Sequence, residues 1–566
     1  MTGSPTAVEP GSTMSRRQVL EALSGLLLGM FVSMLAATVV STSLPIIVHD
    51  LGGDQAAFTW VVTSTLLTTA ISTPIWGKLA DLTNRKVLIQ VALIIFVVAT
   101  AAAGFAQDTS MLIGFRAVQG IGAGGLAALS QIIMADIISP RERGRYMGLF
   151  GAVMALATVG GPLLGGVITD AFGWRWNFYV AIPFAIAAII LLQMTLHITR
   201  ERRKVSIDYL GIVLLSASVS LLLIWITSAG NAFEWMSVET LLMAGGALLG
   251  AVLFVIVELK VSEPLIPLSL FRDRTFTLSV IASIATGIAM FGASVFLSQY
   301  MQMARGATPT QAGLMTIPMI AGLLIASMLV GQLISKFGKW KSYLVVGSIL
   351  LIAGLYLLTT IQYDTNFVLV SIYMFLMGAG VGTTMQNLVL IVQNTAKPEE
   401  IGVSSSGVAF FRSLGGTIGV SVMGAALATK VMELMTDYKD RLGEAIMSLG
   451  DEGAAVAEQL QSGTLPAVHS LPHAVQIIIE NVYAQGIAHS FMIAVPFAVL
   501  SLIAVIFLPN VPLGRMTTTE RKAAGEADLA TFTTAEGMSA IAATGSIPVI
   551  DPSVDAAKAP SSGETR

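Results

Sequence analysis

Gly77-Lys78-Leu79-Ala80-Asp81-Leu82-Thr83-Asn84-Arg85-Lys86 is a charged stretch set between two long apolar runs. Far downstream, Gly331-Gln332-Leu333-Ile334-Ser335-Lys336-Phe337-Gly338-Lys339 echoes it, with Gly77 matching Gly331, Leu79 matching Leu333 and Arg85 matching Lys339. Two further echoes follow in the same order. Gln119-Gly120-Ile121-Gly122-Ala123-Gly124 pairs with Met377-Gly378-Ala379-Gly380-Val381-Gly382, and Gly160-Gly161-Pro162 pairs with Gly415-Gly416-Thr417. Echoes in constant order predict two six-helix bundles built on one plan. Parallel repeats of this kind place a substrate path between the bundles near the bilayer midplane.

Composition agrees. Of 566 residues, 54% are hydrophobic and 11% charged, with mean hydropathy +0.79, whereas soluble domains carry roughly 25% charged residues. A helix crossing ~30 Å of hydrocarbon needs ~20 apolar residues. Runs of that kind fall near 21–48, 56–80, 87–106, 110–136, 143–169, 174–196, 208–229 and 238–258, then 275–302, 309–335, 341–361, 366–393, 403–429 and 486–508. The prediction is an all-α integral membrane protein of fourteen spans, the seventh and eighth inserted between the bundles. Its parts are a tail (1–20), the first bundle (21–196), the insert with its linkers (197–274), the second bundle (275–510, with an outer loop at 431–485) and a disordered tail (511–566).

Basic residues set the orientation. Lys78, Arg85, Lys86, Arg141, Arg143, Arg145, Arg200, Arg202, Arg203, Lys204, Lys260, Arg272, Arg274, Lys336, Lys339, Lys341 and Lys397 all fall in one alternate set of loops. The other short loops hold only Arg175 and Arg305. By the positive-inside rule both termini are expected in the cytoplasm of a cell whose plasma membrane holds the protein. Arg16-Arg17 precedes an apolar run too long for a cleaved leader, which reads as an uncleaved first span. The 431–485 loop is punctuated by Pro466 and Pro472 and carries amphipathic stretches at 437–449 and 454–460, expected as surface helices.

The same residues resemble the major facilitator superfamily: Gly77–Lys86 its loop signature, with Asn84 where a glycine is usual, and Arg116-Ala117-Val118-Gln119-Gly120 its span-4 motif. Gly161-Pro162-Leu163-Leu164-Gly165-Gly166 is similar to its antiporter motif. Trp174-Arg175-Trp176-Asn177, the segment from Pro264-Leu265 to Leu270-Phe271, and Arg412-Ser413-Leu414-Gly415-Gly416 resemble the fourteen-helix drug:proton antiporter branch, the EmrB/QacA-like exporters. The resemblance implies proton-coupled efflux of hydrophobic or amphiphilic compounds by alternating access, with no cofactor and no metal. The partners implied are the lipid bilayer, a small amphiphile and protons, with no nucleic acid; the oligomeric state is left open.

Each motif has a physical job. Gly77, Asp81, Arg85 and Lys86 form a candidate latch, because a carboxylate in a tight turn can meet a basic group or a helix N-terminus in one access state and release it in the other. Arg116 and Arg412 are the basic residues placed within spans, so each needs a polar or watery surrounding; with Gln119 they are the candidate cavity and coupling groups. Gly161, Pro162, Gly165 and Gly166 suit a bent, closely packed helix. Polar and aromatic groups on apolar spans mark a candidate path: Trp60 beside Phe58, Gln131, Gln299 with Tyr300, and Gln386 with Asn387.

One departure bears on energy coupling. Exporters of this branch are expected to read Leu-Asp-x-Thr-Val-Val in span 1, and here Leu35-Ala36-Ala37-Thr38-Val39-Val40 puts Ala36 in the acid's place. The nearest acids are Glu21, Asp50, Asp136, Asp170 and Glu258, all at predicted span ends or in loops. Three readings follow: coupling through a peripheral group, with His49, Asp50 and His489 as candidates; attraction of anionic amphiphiles by an uncompensated Arg116; or loose coupling, as in a facilitator or lipid mover. No phosphate-binding loop, zinc-type helix motif or cysteine supports an enzyme. A channel fits the latch poorly, and a transporter-like sensor is the remote alternative.

Overall fold

The computed structural model describes residues 16–52, 55–138, 171–196, 208–228, 233–307, 309–450 and 471–514, with single positions within 146–169 and 453–468. The first half contains α1 (Arg16–Asp50), α2 (Gln55–Leu82), α3 (Arg85–Gly104), α4 (Thr109–Ile137) and α5 (Ala181–Thr195), the last preceded by a single turn, Trp176–Tyr179. An inserted hairpin follows, α6 (Tyr209–Ser228) and α7 (Val238–Glu258). The second half contains α8 (Arg274–Met303), α9 (Ile317–Phe337), α10 (Lys341–Leu358), α11 (Phe367–Thr395), α12 (Ile401–Asp437), α13 (Lys439–Met447) and α14 (His473–Phe507). In hydrocarbon every backbone amide must be bonded within its own segment, which is why the apolar runs become helices.

Twelve helices among the described residues are long and apolar enough to span a membrane. The fourteen-span reading is coarsened to that number. Two of its segments lie outside the twelve: α2, a 28-residue helix interrupted by several Thr and Ser, and 143–169, which falls largely outside the described residues. Other boundaries are corrected too. The run at 309–335 is two helices, Pro309–Met315 and α9, separated at Thr316 where Pro318 removes an amide donor. α12 and α14 continue well past the predicted 429 and 486, because a helix that has left hydrocarbon no longer needs apolar residues. The amphipathic stretch at 437–449 is the surface helix α13, with no buried residue. Most of 454–460 lies outside the described residues.

Lipid tails are as apolar as leucine, so these helices gain little from burial alone and associate through close packing and hydrogen bonds. The repeated glycines supply the approach. A Cβ on Gly120 or Gly124 would overlap Thr68 and Ser72 of α2, while one on Gly122 would stand 2.7 Å from the Phe96 nitrogen of α3. In the second half, Gly378 and Gly382 press on the Met319 and Leu323 carbonyls of α9, and a Cβ on Gly380 would stand 2.6 Å from the Leu351 Cβ of α10. The α4 and α11 stripes therefore do the same work in each half. Hydroxyls add to it: Thr65 donates to the Arg116 carbonyl at 3.2 Å and Thr69 to that of Gly120 at 3.1 Å, and Trp76 donates to Ile121 at 2.9 Å.

Each half has its own apolar core, one built from α1 to α5 and the other from α8, α10, α11, α12 and α14. The hairpin packs differently. Leu215, Val219, Leu223 and Phe254 meet Ile71 and Ile75 of α2 and Phe410 and Phe411 of α12, so the insert sits against the junction of the halves. Its other flank is bare: Leu241, Leu242 and Leu248 are each more than two-thirds exposed, the pattern of a lipid-facing surface.

Gly378→Val is expected to force α9 and α11 apart at a cost of about 1–3 kcal/mol. Thermal unfolding of the detergent-purified protein should show a lowered midpoint, and Gly114→Val, where a Cβ meets nothing within 4 Å, should leave the midpoint where it is.

Candidate functional site

The basic loops lie at one end of the molecule, and there the two halves are joined by Asp81. Its Oδ1 accepts the Gly402 amide and its Oδ2 the Val403 amide, both at 2.8 Å. These amides belong to the first turn of α12, where backbone donors have no partner within the helix and the helix dipole favours a negative charge. Arg85 Nη2 contacts Asp81 Oδ1 at 3.2 Å and Nη1 pairs with Asp136, while Nε donates to the Ala80 carbonyl at 2.9 Å. The carboxylate is thus held between a guanidinium of its own half and a helix end of the other. Gly77 makes the crossing close: a Cβ there would overlap the Ser406 side chain and stand 2.9 Å from the Gly402 carbonyl.

The rest of this end closes around the contact. Gln393 Nε2 donates to Ser405 at 2.8 Å and to the Gln131 carbonyl at 3.4 Å, and Ala135, Ala396 and Ile401 form a small apolar cluster. Lys78 pairs with Glu263 of the linker at 2.9 Å. Among the described residues, hydrogen bonds between the two halves occur only at this end. Lys86 is not part of the junction; its ammonium donates to the Gln193 carbonyl at 2.8 Å on α5 and its amide is capped by Asn84. Asp136, Gly402 and Glu263 belong to the junction and carried no sequence signal beyond their place near a span end.

Arg116 is buried two turns into α4. It donates to Gln119 Oε1 at 2.8 Å and to the Val61 carbonyl at 3.5 Å, and Gln119 passes the chain on to Thr100 of α3 at 2.8 Å. Arg412 is also buried and donates to the Met385 carbonyl at 3.3 Å. Neither guanidinium has a carboxylate within 4 Å among the described residues. Next to Met385, Gln386 Oε1 and Asn387 Oδ1 are buried and accept no hydrogen bond among the described residues, while Asn387 donates to the Thr383 carbonyl at 2.6 Å. Ala36 is buried and belongs to the first apolar core, so its methyl fills the place with hydrocarbon.

The remaining candidates are scattered. Tyr300 is wholly buried in the second core and donates to the Gln362 carbonyl at 2.6 Å, which makes it a packing residue and separates it from half-buried Gln299. Trp60 is half-buried near the start of α2, and Gln131 is buried beside the junction. Asp50 accepts the Trp174 indole N–H at 2.9 Å, and Arg175 stacks 4.2 Å above that ring and donates to Ala106. Asn177 donates to Ser43 and Thr169, each at 2.7 Å. Trp174–Asn177 is therefore a clasp for the far end of the first half, and Asp50 is engaged in it. His489 is exposed and sits mid-helix in α14, not at its start; the His49 side chain lies outside the described residues. A Cβ on Gly161 would overlap Thr38, and one on Gly165 would stand 2.6 Å from the Val39 carbonyl of α1. Pro162 and Gly166 lie outside the described residues.

Two helical halves on one plan, joined at one end, with buried polar groups within their apolar helices, are the architecture of a membrane transporter. Residues 26–420 match the model of the Major Facilitator Superfamily, and the chain belongs to that family. It is 36% identical over 447 residues to the multidrug transporter protein MdtP of Bacillus subtilis, covering 79% of this chain and 81% of that protein. Multidrug resistance protein 3 of the same organism is 31% identical over 492 residues, covering 86% and 94%. Among solved structures, the proton:xylose symporter XylE superimposes with a TM-score of 0.56 at 14% identity, covering 90% of this chain and 100% of that one, which shows a shared fold.

Asp81→Asn keeps the shape of the junction and removes its charge, with an expected loss of about 1–3 kcal/mol. The chain has no cysteine, so spin labels on cysteines introduced at exposed Thr83 and Lys397 report the separation of the halves directly. The distance distribution should shift to longer values in Asp81→Asn, and an unchanged distribution would show that the contact contributes nothing to closure.

Proposed function

We propose that this chain is a proton-coupled exporter of hydrophobic or amphiphilic compounds, of the fourteen-span drug:proton antiporter branch, in the cytoplasmic membrane with both termini inside. The Asp81 bridge to the α12 amides carries the reading. Among the described residues it is a contact between halves confined to one end, formed of a carboxylate and a helix end that separate without cost to either half's own core. With that end cytoplasmic, the bridge closes the inner side and leaves the path open outward. Breaking it lets the halves rock the other way, which is alternating access. The relatives named as multidrug transporters support the substrate class.

A second reading concerns substrate charge. Arg116 and Arg412 are buried cations without a carboxylate within 4 Å among the described residues, and Ala36 supplies none. Charges at membrane depth recruit partners, and an anionic amphiphile would be one. On this reading the coupling proton binds away from span 1.

Reconstitution into liposomes under an imposed pH gradient separates the two. Gradient-driven movement of a lipophilic cation dye, abolished by a protonophore, is expected on the first reading; preferential movement of an anionic amphiphile is expected on the second. Arg116→Ala should lower transport by about tenfold, the equivalent of one charge-assisted hydrogen bond. Flux that ignores the gradient for both probes would overturn proton coupling.

A further inference from the structure

The inserted hairpin brings two acids to one spot at the basic end. Asp208 stands directly before α6, Glu258 is the last residue of α7, and they are 8% and 4% exposed. Glu258 uses both oxygens: Oε1 accepts the Leu265 amide and Oε2 the Ile266 amide, each at 3.1 Å, which folds the linker back onto the hairpin. Asp208 Oδ1 accepts the Gly211 amide at 2.8 Å. Asp208 Oδ2 is buried and has no hydrogen-bond partner among the described residues. It lies beside the Glu258 carboxylate, since a Cβ built on Gly211 would overlap Oδ2 and stand 3.0 Å from Glu258 Oε1.

Ionised carboxylate oxygens only accept hydrogen bonds, so two of them shut away from water have nothing to exchange unless one carries a proton. Neighbouring buried carboxyls share a single proton for the same reason that like charges cannot both be desolvated cheaply. We propose that Asp208 and Glu258 form a one-proton site, in which Asp208 Oδ2 carries the proton and donates it to Glu258 Oε1. The proton is placed on Asp208 because both oxygens of Glu258 already accept amide donors while, among the described residues, Asp208 Oδ2 accepts none. No bond other than the O–H is made or broken.

Lys78 faces the pair from α2 and, with Asp208, supplies the field at Glu258. Its ammonium is bonded to Glu263 of the linker. From α12 the hairpin meets apolar Phe410 and Phe411. Lys78 is three residues from Asp81, so the proton sits on an insert whose one charged tie to the first half, among the described residues, runs to the helix that bears the bridge. The assignment does not rest on proton-driven export: the site binds a proton whether or not that proton moves a substrate.

Infrared difference spectroscopy of the full chain in lipid nanodiscs, stepped from alkaline to acidic buffer, tests it without a transport assay. The wild type is expected to show the carbonyl stretch of a protonated carboxyl group that titrates reversibly. Asp208→Asn, whose amide keeps the volume and still donates to Glu258, should lose that band, and Asp81→Asn should keep it. Lys78→Met removes the facing cation, so the band's midpoint should move to higher pH. A wild type with no titrating carboxyl band, or a band that survives Asp208→Asn, overturns the site. A midpoint in Lys78→Met that stays or falls overturns the link to α2. Glu258→Gln, which removes the carboxylate that accepts from Asp208, should lose the same band, so the site stays testable if Asp208→Asn does not fold.

Discussion

A helix that begins inside a protein leaves its first amides without partners, and α12 meets that need with a carboxylate from the opposite half of the molecule. Asp81 therefore does two things: it caps a helix, and it holds two separately cored bundles together at one end. Much else in the neighbourhood follows from keeping that carboxylate bonded and reachable. Burial pushes the Asp81 carboxyl up to about 7 while Arg85 and the two amides pull it back down, Asp136 anchors Arg85 from α4, and Gly77 lets the backbones come close enough for the bonds to form. The interaction is strong because water is excluded, yet it involves few groups, so its loss exposes little apolar surface. A contact of that kind suits repeated making and breaking better than a large hydrophobic interface does.

Much of this was legible in the sequence, and the remainder was hidden for identifiable reasons. Asp81, Arg85 and Gly77 were readable because charge between apolar runs is rare and the stretch recurs downstream. The glycine stripes of α4 and α11 were readable as echoes, and the structure places them in equivalent contacts in the two halves. The partner of Asp81 was not readable, since backbone amides look alike in every sequence. A tyrosine on an apolar span signals either a cavity wall or a buried hydroxyl that bonds a carbonyl, and the Tyr300 hydroxyl bonds the Gln362 carbonyl, a partner that no local pattern marks. The bond from Trp174 to Asp50, spanning more than a hundred residues, has no local signature in the sequence. Helix ends were misplaced wherever hydropathy stopped before the helix did.

Charge scarcity has a structural counterpart. Among the described residues, the buried and partly buried ionic groups named above fall into two kinds. Those at the basic end, Lys78, Asp81, Arg85, Asp136, Asp208 and Glu258, are engaged with opposite charges, amides or each other. Those within the spans, Arg116 and Arg412, are bonded to neutral acceptors. Desolvation penalises a charge bonded only to neutral groups more than a paired one, so the molecule concentrates cost at the two places where a ligand or a moving helix could relieve it. The hairpin fits the same division, with its lipid-facing flank free of charge and its acids tucked beneath the junction.

The length of α12 gives the bridge a mechanical meaning. Its 37 residues make a rod of about 55 Å, pinned at its first turn by Asp81 and carrying α13 at its far end. A rod of that length displaces its tip by roughly 1 Å for each degree of tilt about the pinned turn. The surface helix beyond it thus moves like the end of a pointer, magnifying at one face of the membrane small changes in a few hydrogen bonds at the other.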